Sequence, residues 1–232
     1  MTETPPKGFR QHRFTAPPHA TTLLLVRHGE SAPAVPGAPF PLRDGHGDPE
    51  LHPDGHRQAE AVGARLAAEH RAGATIHGLY VTTLRRTRQT AAPLARLIEA
   101  SPVEVPDLRE VHLGEWEGGL FRQKVIEGDP AFLRVIETER WDEIPGAEPR
   151  EAFAERLRRG VETIVGAHPG GRAVAVVHGG VIGELLAIAT GSRGLAFAGA
   201  DNASISELVV DGDRWTLRRF NDVSHLEGLE VV

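Results

Sequence analysis

The 232-residue chain has no cysteine, which excludes a disulfide scaffold, a thiolate nucleophile and any zinc site built on sulfur. It also lacks an apolar run near the length of a membrane span. The longest near the N-terminus, Leu23 to Val26, is too short even for a signal-peptide core, so a cytoplasmic location without a membrane partner is expected. Excess positive charge is missing as well. With 26 Lys+Arg against 32 Asp+Glu the net charge is −6, whereas a general nucleic-acid binder needs a basic surface to neutralise phosphates. What is present, 40% hydrophobic and 25% charged residues, suits a globular chain long enough to bury one sizeable core. Pro5, Pro6, Pro17 and Pro18 mark residues 1–20 as a flexible lead-in, and residues 21–232 read as a single domain.

Apolar patterning predicts the elements. Thr21 to Val26 and Arg172 to Val177 are continuous apolar runs, the mark of strands covered on both faces. Ile76 to Val81 and Val103 to Val105 read as further strands. Helices are predicted from Pro53 toward Arg71, over Thr83–Glu99, over Glu151–Val165 with Phe153, Leu157, Val161 and Ile164 on one face, and over Val181–Ala189. Shorter ones are placed around Gln123–Ile126 and Ala131–Ile136. The proline-rich stretch from Ser31 to Glu50 is predicted to hold no regular element. Ser204–Val210 and Trp215–Phe220 around Asp211-Gly212-Asp213 form a hairpin. Strands separated by helices, then a hairpin, give an α/β fold: a three-layer α/β/α sandwich whose mostly parallel sheet ends in an antiparallel edge strand.

Both buried strands end in histidine followed by glycine, at Arg27-His28-Gly29 and at His178-Gly179-Gly180. Ligands of open parallel sheets bind beyond the carboxyl ends of the strands, so the two histidines are candidates for one site. Glycine allows close backbone approach, and the helix starting after His178 offers free amide donors to an anion. A third segment, Thr82 to Thr90, puts Arg85, Arg86 and Arg88 at a helix start, where cations are unfavourable unless they meet an anion. The fourth, Leu108 to Gly118, could bring a carboxylate, Glu110 or Glu117, to the same crevice.

Taken in chain order, Leu25 to Ser31, Leu84 to Ala91, Leu108 to Gly118 and Val176 to Gly180 span about 150 residues and resemble the histidine phosphatase superfamily, which includes cofactor-dependent phosphoglycerate mutases and many acid phosphatases. The resemblance implies that His28 is a nucleophile forming a phosphohistidine that water then hydrolyses. It implies that Arg27, Arg86 and His178 surround the transferring group, and that Glu110, by its position in the motif, is the general acid and base. Ser31, Arg43 and Gly179 become substrate contacts, and no metal or cofactor is required. Two departures stand out: Ala34 occupies the place of an asparagine that helps hold phosphate in many relatives, and Arg43 is one residue displaced from the usual loop arginine.

The reading is a phosphomonoesterase acting on a small phosphorylated metabolite. The alternatives are a phosphoglycerate mutase-type transfer, disfavoured by the short segment between Gly118 and Pro149, and a phosphate-binding regulatory module without turnover. His46, Asp48, His52 and His56 could suggest a metal site, but Pro53 and Gly55 interrupt the pair with helical spacing; His46 in a pocket and His52 at a helix start is the preferred reading. Trp141, Phe121 and Phe132 are assigned to packing over ligand contact. The edge of the terminal hairpin could pair two copies as a homodimer.

Overall fold

Every other side chain of the first strand enters a different core, and that alternation organises the molecule. The computed structural model describes residues 9–229; the first eight residues of the expected lead-in and residues 230–232 of the expected domain lie outside them. The strands are β1 (Thr21–Arg27), β2 (Leu42–Arg43), β3 (His46–Gly47), β4 (Gly78–Val81), β5 (Val103–Glu104), β6 (Arg172–Val177), β7 (Ile205–Asp211) and β8 (Arg214–Asp222). The helices are α1 (Pro53–Arg71), α2 (Arg85–Leu97), α3 (Leu120–Glu127), α4 (Pro130–Thr138), α5 (Arg150–Ala167) and α6 (Gly179–Thr190). Leu23 and Leu25 of β1, with Ala173, Ala175 and Val177 of β6, pack against α5 and α6. Leu24 and Val26, with Val174 and Val176, pack against α1 and α2. Period-two strands buried on both faces thus make the three layers that the apolar runs implied.

Six strands form the sheet in the order β5-β4-β6-β1-β7-β8. The first four are parallel, and β7 and β8 are antiparallel. Two antiparallel strands therefore stand at that edge. Trp215 and Leu217 of the outermost strand pack back onto the α5/α6 core, so its larger apolar side chains are partly spent within the chain. A third apolar cluster, Trp116, Ala131, Val135 and Ile144, roofs the carboxyl end of the sheet.

Several element boundaries differ from expectation by a few residues, and one element is new. Helix α2 starts at Arg85, because Thr82 to Leu84 form a turn in which the Leu84 amide donates to Thr82 Oγ1 at 3.3 Å. The strand at residue 76 starts two residues later, at Gly78. The proline-rich loop does hold a regular element, the short β2-β3 hairpin. Asp44 (φ 50°) and Gly45 (φ 83°) both adopt the left-handed conformation that a tight hairpin turn requires, and Asp-Gly is a pair that accepts it.

Candidate active site

Sheet register brings the histidines together. Arg27 of β1 lies opposite Val177 of β6, and the His28 amide donates to the Val177 carbonyl at 3.0 Å. The residue after each strand end is a histidine, and the two rings meet with centroids 5.2 Å apart. On the far side of β6, strand β4 delivers Thr82, whose Oγ1 lies 3.0 Å from His178 Nε2, and then α2 with Arg86. The chain after β5 delivers Glu110. Four neighbouring parallel strands thus explain why four distant motifs share one crevice.

The hydrogen bonds of His28 decide its chemical state. Nδ1 lies 2.8 Å from the Gly29 carbonyl, which can only accept, so Nδ1 carries the proton. Nε2 then bears the lone pair, and Arg86 Nε donates to it at 3.2 Å. Burial, with the Arg86 and Arg27 guanidiniums close by, holds the imidazole well below the ordinary histidine pKa. His178 is pushed down for the same reasons, burial first and Arg86 next. Both rings are neutral at physiological pH. Burial also pushes Arg86 down to about 10, which leaves it charged at neutral pH, with Nη1 donating to the Gly47 carbonyl at 2.9 Å. Arg27 donates to the Ala200 carbonyl. Among the described residues its Nε and His178 Nδ1 have no hydrogen-bond partner although both are buried, which is costly unless an acceptor joins them.

Glu110 accepts from the Val111 amide at 3.0 Å and from the Gly180 amide, in the first turn of α6, at 3.1 Å. A Cβ on Gly180 would stand 2.5 Å from Glu110 Oε1, so glycine there makes room for the carboxylate. Glu117 accepts from the Leu113 amide at 2.9 Å and the Gly47 amide at 2.7 Å, tying the β2-β3 hairpin to its own loop. Of the two, Glu110 is the acid whose charge acts most strongly on Arg27 and Arg86.

A cavity of about 300 Å³ collects Arg27, His28, Ser31, Arg86 and Glu110. A larger groove of about 970 Å³ opens from the same residues Arg27, His28 and Ser31 along the proline-rich loop. Gly179 begins α6 beside Arg27, with room for a Cβ 3.4 Å from Arg27 Nε. Arg43 is exposed beside the tight turn and lines neither cavity, so the structure does not bring it together with the other expected site residues. His46 contributes the pocket side chain from that hairpin, with Nε2 3.2 Å from the Glu110 carbonyl. Phe121 and Trp141 pack with each other, ring centroids 5.9 Å apart, and also line the cavity.

Sequence reasoning missed Arg122 and Asn202. Arg122, on α3, donates to Ser31 Oγ at 2.6 Å and the Ala32 carbonyl at 2.8 Å, and its charge repels that of Arg27. Asn202 donates to the His28 carbonyl at 2.9 Å. Both reach the site from distant, weakly patterned segments. The four residues weighed as metal ligands are dispersed: His52 caps α1, Asp48 accepts from the Arg85 amide at 2.7 Å, His46 faces the cavity and His56 is exposed. Glu30, His52 and Asp54 do lie together, but Asp54 is paired with Arg57 and His52 accepts the Asp54 amide.

The sequence profile described as "Histidine phosphatase superfamily (branch 1)" matches residues 23–223, from β1 through the described C-terminal hairpin. The chain belongs to the histidine phosphatase superfamily. Within it, a metal-independent phosphoserine phosphatase of Arabidopsis thaliana is 31% identical over 212 residues, covering 90% of this chain and 84% of that protein. The phosphoglycerate mutase-like protein 4 of the same plant is 34% identical over 211 residues, 88% and 86% of the two chains. The solved structure of a mycobacterial glucosyl-3-phosphoglycerate phosphatase superposes with a TM-score of 0.71 at 28% identity, covering 87% of this chain and 99% of that one. For a histidine phosphatase, the paired strand-end histidines are the centre of interest. Among the described residues no helix is long and apolar enough to cross a membrane.

Proposed function

We propose that this histidine phosphatase is a phosphomonoesterase working through a phosphohistidine on His28. The observation that carries the reading is the state of His28: neutral, with the Nε2 lone pair fixed by the Nδ1 bond to Gly29 and turned to Arg86. Nε2 attacks phosphorus, the ester P–O bond breaks, and Glu110 gives its proton to the departing alkoxide. Glu110 then takes a proton from water as the water oxygen bonds to phosphorus and the P–N bond breaks, which restores neutral His28. Arg27 and Arg86, with the unpartnered nitrogens Arg27 Nε and His178 Nδ1 as donors, face the equatorial oxygens, where fixed positive charge and N–H groups lower the barrier. Guanidinium charge in this number supplies what a metal ion would otherwise provide.

Among the described residues the hydrogen bonds of Arg122 go to neutral groups, and the Glu30 carboxylate acts on its charge without a hydrogen bond to it, so the guanidinium can still meet a second anionic group on the substrate. A phosphorylated hydroxy or amino acid fits, with the carboxylate at Arg122 and the phosphoryl group at His28. Relatives named for phosphoserine and glucosyl-3-phosphoglycerate support that class. Phosphate release from a panel of monoesters, with and without chelator, tests the reading beside His28→Ala. Chelator-insensitive release lost in the variant is expected; no release from any ester, or full release by the variant, would end it.

A further inference from the structure

Glu110 stands in a stretch, residues 105–113, whose one helical turn, Pro106–Leu108, ends before it. Something outside that stretch must hold its backbone. Arg156, in the middle of α5, does so with every donor it has. A guanidinium carries five N–H groups. Nη1 donates to the carbonyls of Asp107 and Arg109, both at 2.7 Å, and Nη2 donates to the Glu110 carbonyl at 2.8 Å. The remaining two, from Nε and Nη2, go to the two oxygens of Glu148, each at 2.7 Å.

The pair is largely buried, with 14% and 16% of the two side chains exposed, and Arg156 lies over the Phe153 ring at 4.8 Å. Glu148 reaches the other side of Glu110: its carboxylate accepts the His112 amide at 3.3 Å, and its own amide donates to the His112 carbonyl at 2.8 Å. One ion pair rooted in a long helix therefore grips the chain before, at and after Glu110. A lysine could not do this, because its three donors radiate from one atom and cannot span three carbonyls and a carboxylate.

We propose that Arg156 and Glu148 are positioning residues for Glu110, setting the carboxyl group where it can protonate the leaving alcohol. The inference rests on the acid role given to Glu110 above. Its signature is a dependence on the leaving group. An alkoxide must be protonated as it departs, whereas p-nitrophenolate leaves without help, so misplacing the acid slows one ester and spares the other. Comparing kcat/KM confines the measurement to the steps up to P–O cleavage.

The test measures kcat/KM on phosphoserine and on p-nitrophenyl phosphate for Arg156→Lys, Glu148→Gln and Glu110→Gln, with melting temperatures alongside. For Arg156→Lys a loss of roughly tenfold or more on phosphoserine is expected, against less than about threefold on the aryl ester, in the pattern of Glu110→Gln. Glu148→Gln, which keeps the shape and the Arg156 carbonyl bonds, is expected to show the same split at smaller size and carries the comparison should the lysine variant not fold. Equal losses on both esters, or no loss on either, in a folded variant while Glu110→Gln shows the split would overturn the positioning role alone. Absence of the split in Glu110→Gln itself would remove the acid assignment and this inference with it.

Discussion

Replacing Gly55 by alanine sets two physical effects against each other. Gly55 is the third residue of α1, and helix propensity alone favours alanine there by up to about 1 kcal/mol. The packing says the opposite. A Cβ on Gly55 would stand 2.0 Å from the Glu30 carbonyl oxygen and 2.9 Å from the Glu30 carbon and nitrogen, where ordinary contact begins at 3.4 Å. The neighbours are backbone, not the yielding end of a side chain, and the reverse contact is as close: a Cβ on Gly29 would lie 2.4 Å from the Gly55 oxygen. The loop after β1 must therefore shift by more than about 1 Å, and it carries His28 only two residues before Glu30. Overpacking of this kind costs about 1–3 kcal/mol, and if His28 is the nucleophile, as proposed, a shift of about 1 Å there can cost about a hundredfold in rate. Thermal melts and kcat on a chromogenic ester would read both. A melting temperature lower by about 5 °C and a kcat down by about two orders of magnitude are expected. Gly166→Ala, in α5 with nothing near its Cβ, is the control and should be neutral or slightly stabilising. A Gly55→Ala protein as stable and as active as wild type would refute the claim that these two backbones fix the loop that carries His28.

Arg122→Gln should raise KM for phosphoserine by about tenfold while leaving p-nitrophenyl phosphate, which has no carboxylate, within about threefold; equal effects on both would remove the carboxylate assignment. Stability should fall on the acid side. His28 and His178 are held neutral well below the ordinary value of 6.5, so in that range the unfolded chain binds protons that the native state does not, and stability is retained above pH 6.5 and lost as pH falls below it. Each group can contribute up to about 1.4 kcal/mol per pH unit in that window. Urea midpoints between pH 7.5 and 5.5 that stayed level or rose toward acid would contradict the buried neutral pair.

The residues at the strand ends are legible in the sequence because parallel sheets obey a simple rule: unbroken apolar runs are central strands, and the residues just beyond their carboxyl ends face the ligand. Arg27, His28, Arg86 and His178 all come from that rule joined to the motif order. The α5 face is equally plain, since Phe153, Leu157, Val161 and Ile164 recur at helical spacing and all four are fully buried. Arg122, Asn202 and Arg156 escape notice for a common reason. Each acts on a residue 46 to 174 positions away, and an arginine on an amphipathic helix looks the same in sequence whether it faces solvent or a distant carbonyl. The exposure of Arg43 is not legible from its loop position alone, because it follows from the Asp44-Gly45 turn beside it.

The central claim is that His28 carries the phosphoryl group. Rapid mixing with phosphoserine or p-nitrophenyl phosphate, quenching in alkali and mapping the modified peptide by mass spectrometry addresses it directly. The account predicts an acid-labile phosphoryl group on His28, formed and lost at rates compatible with turnover and absent from His28→Ala. Turnover with no phosphoryl group on His28, or with one on His178 instead, would contradict it.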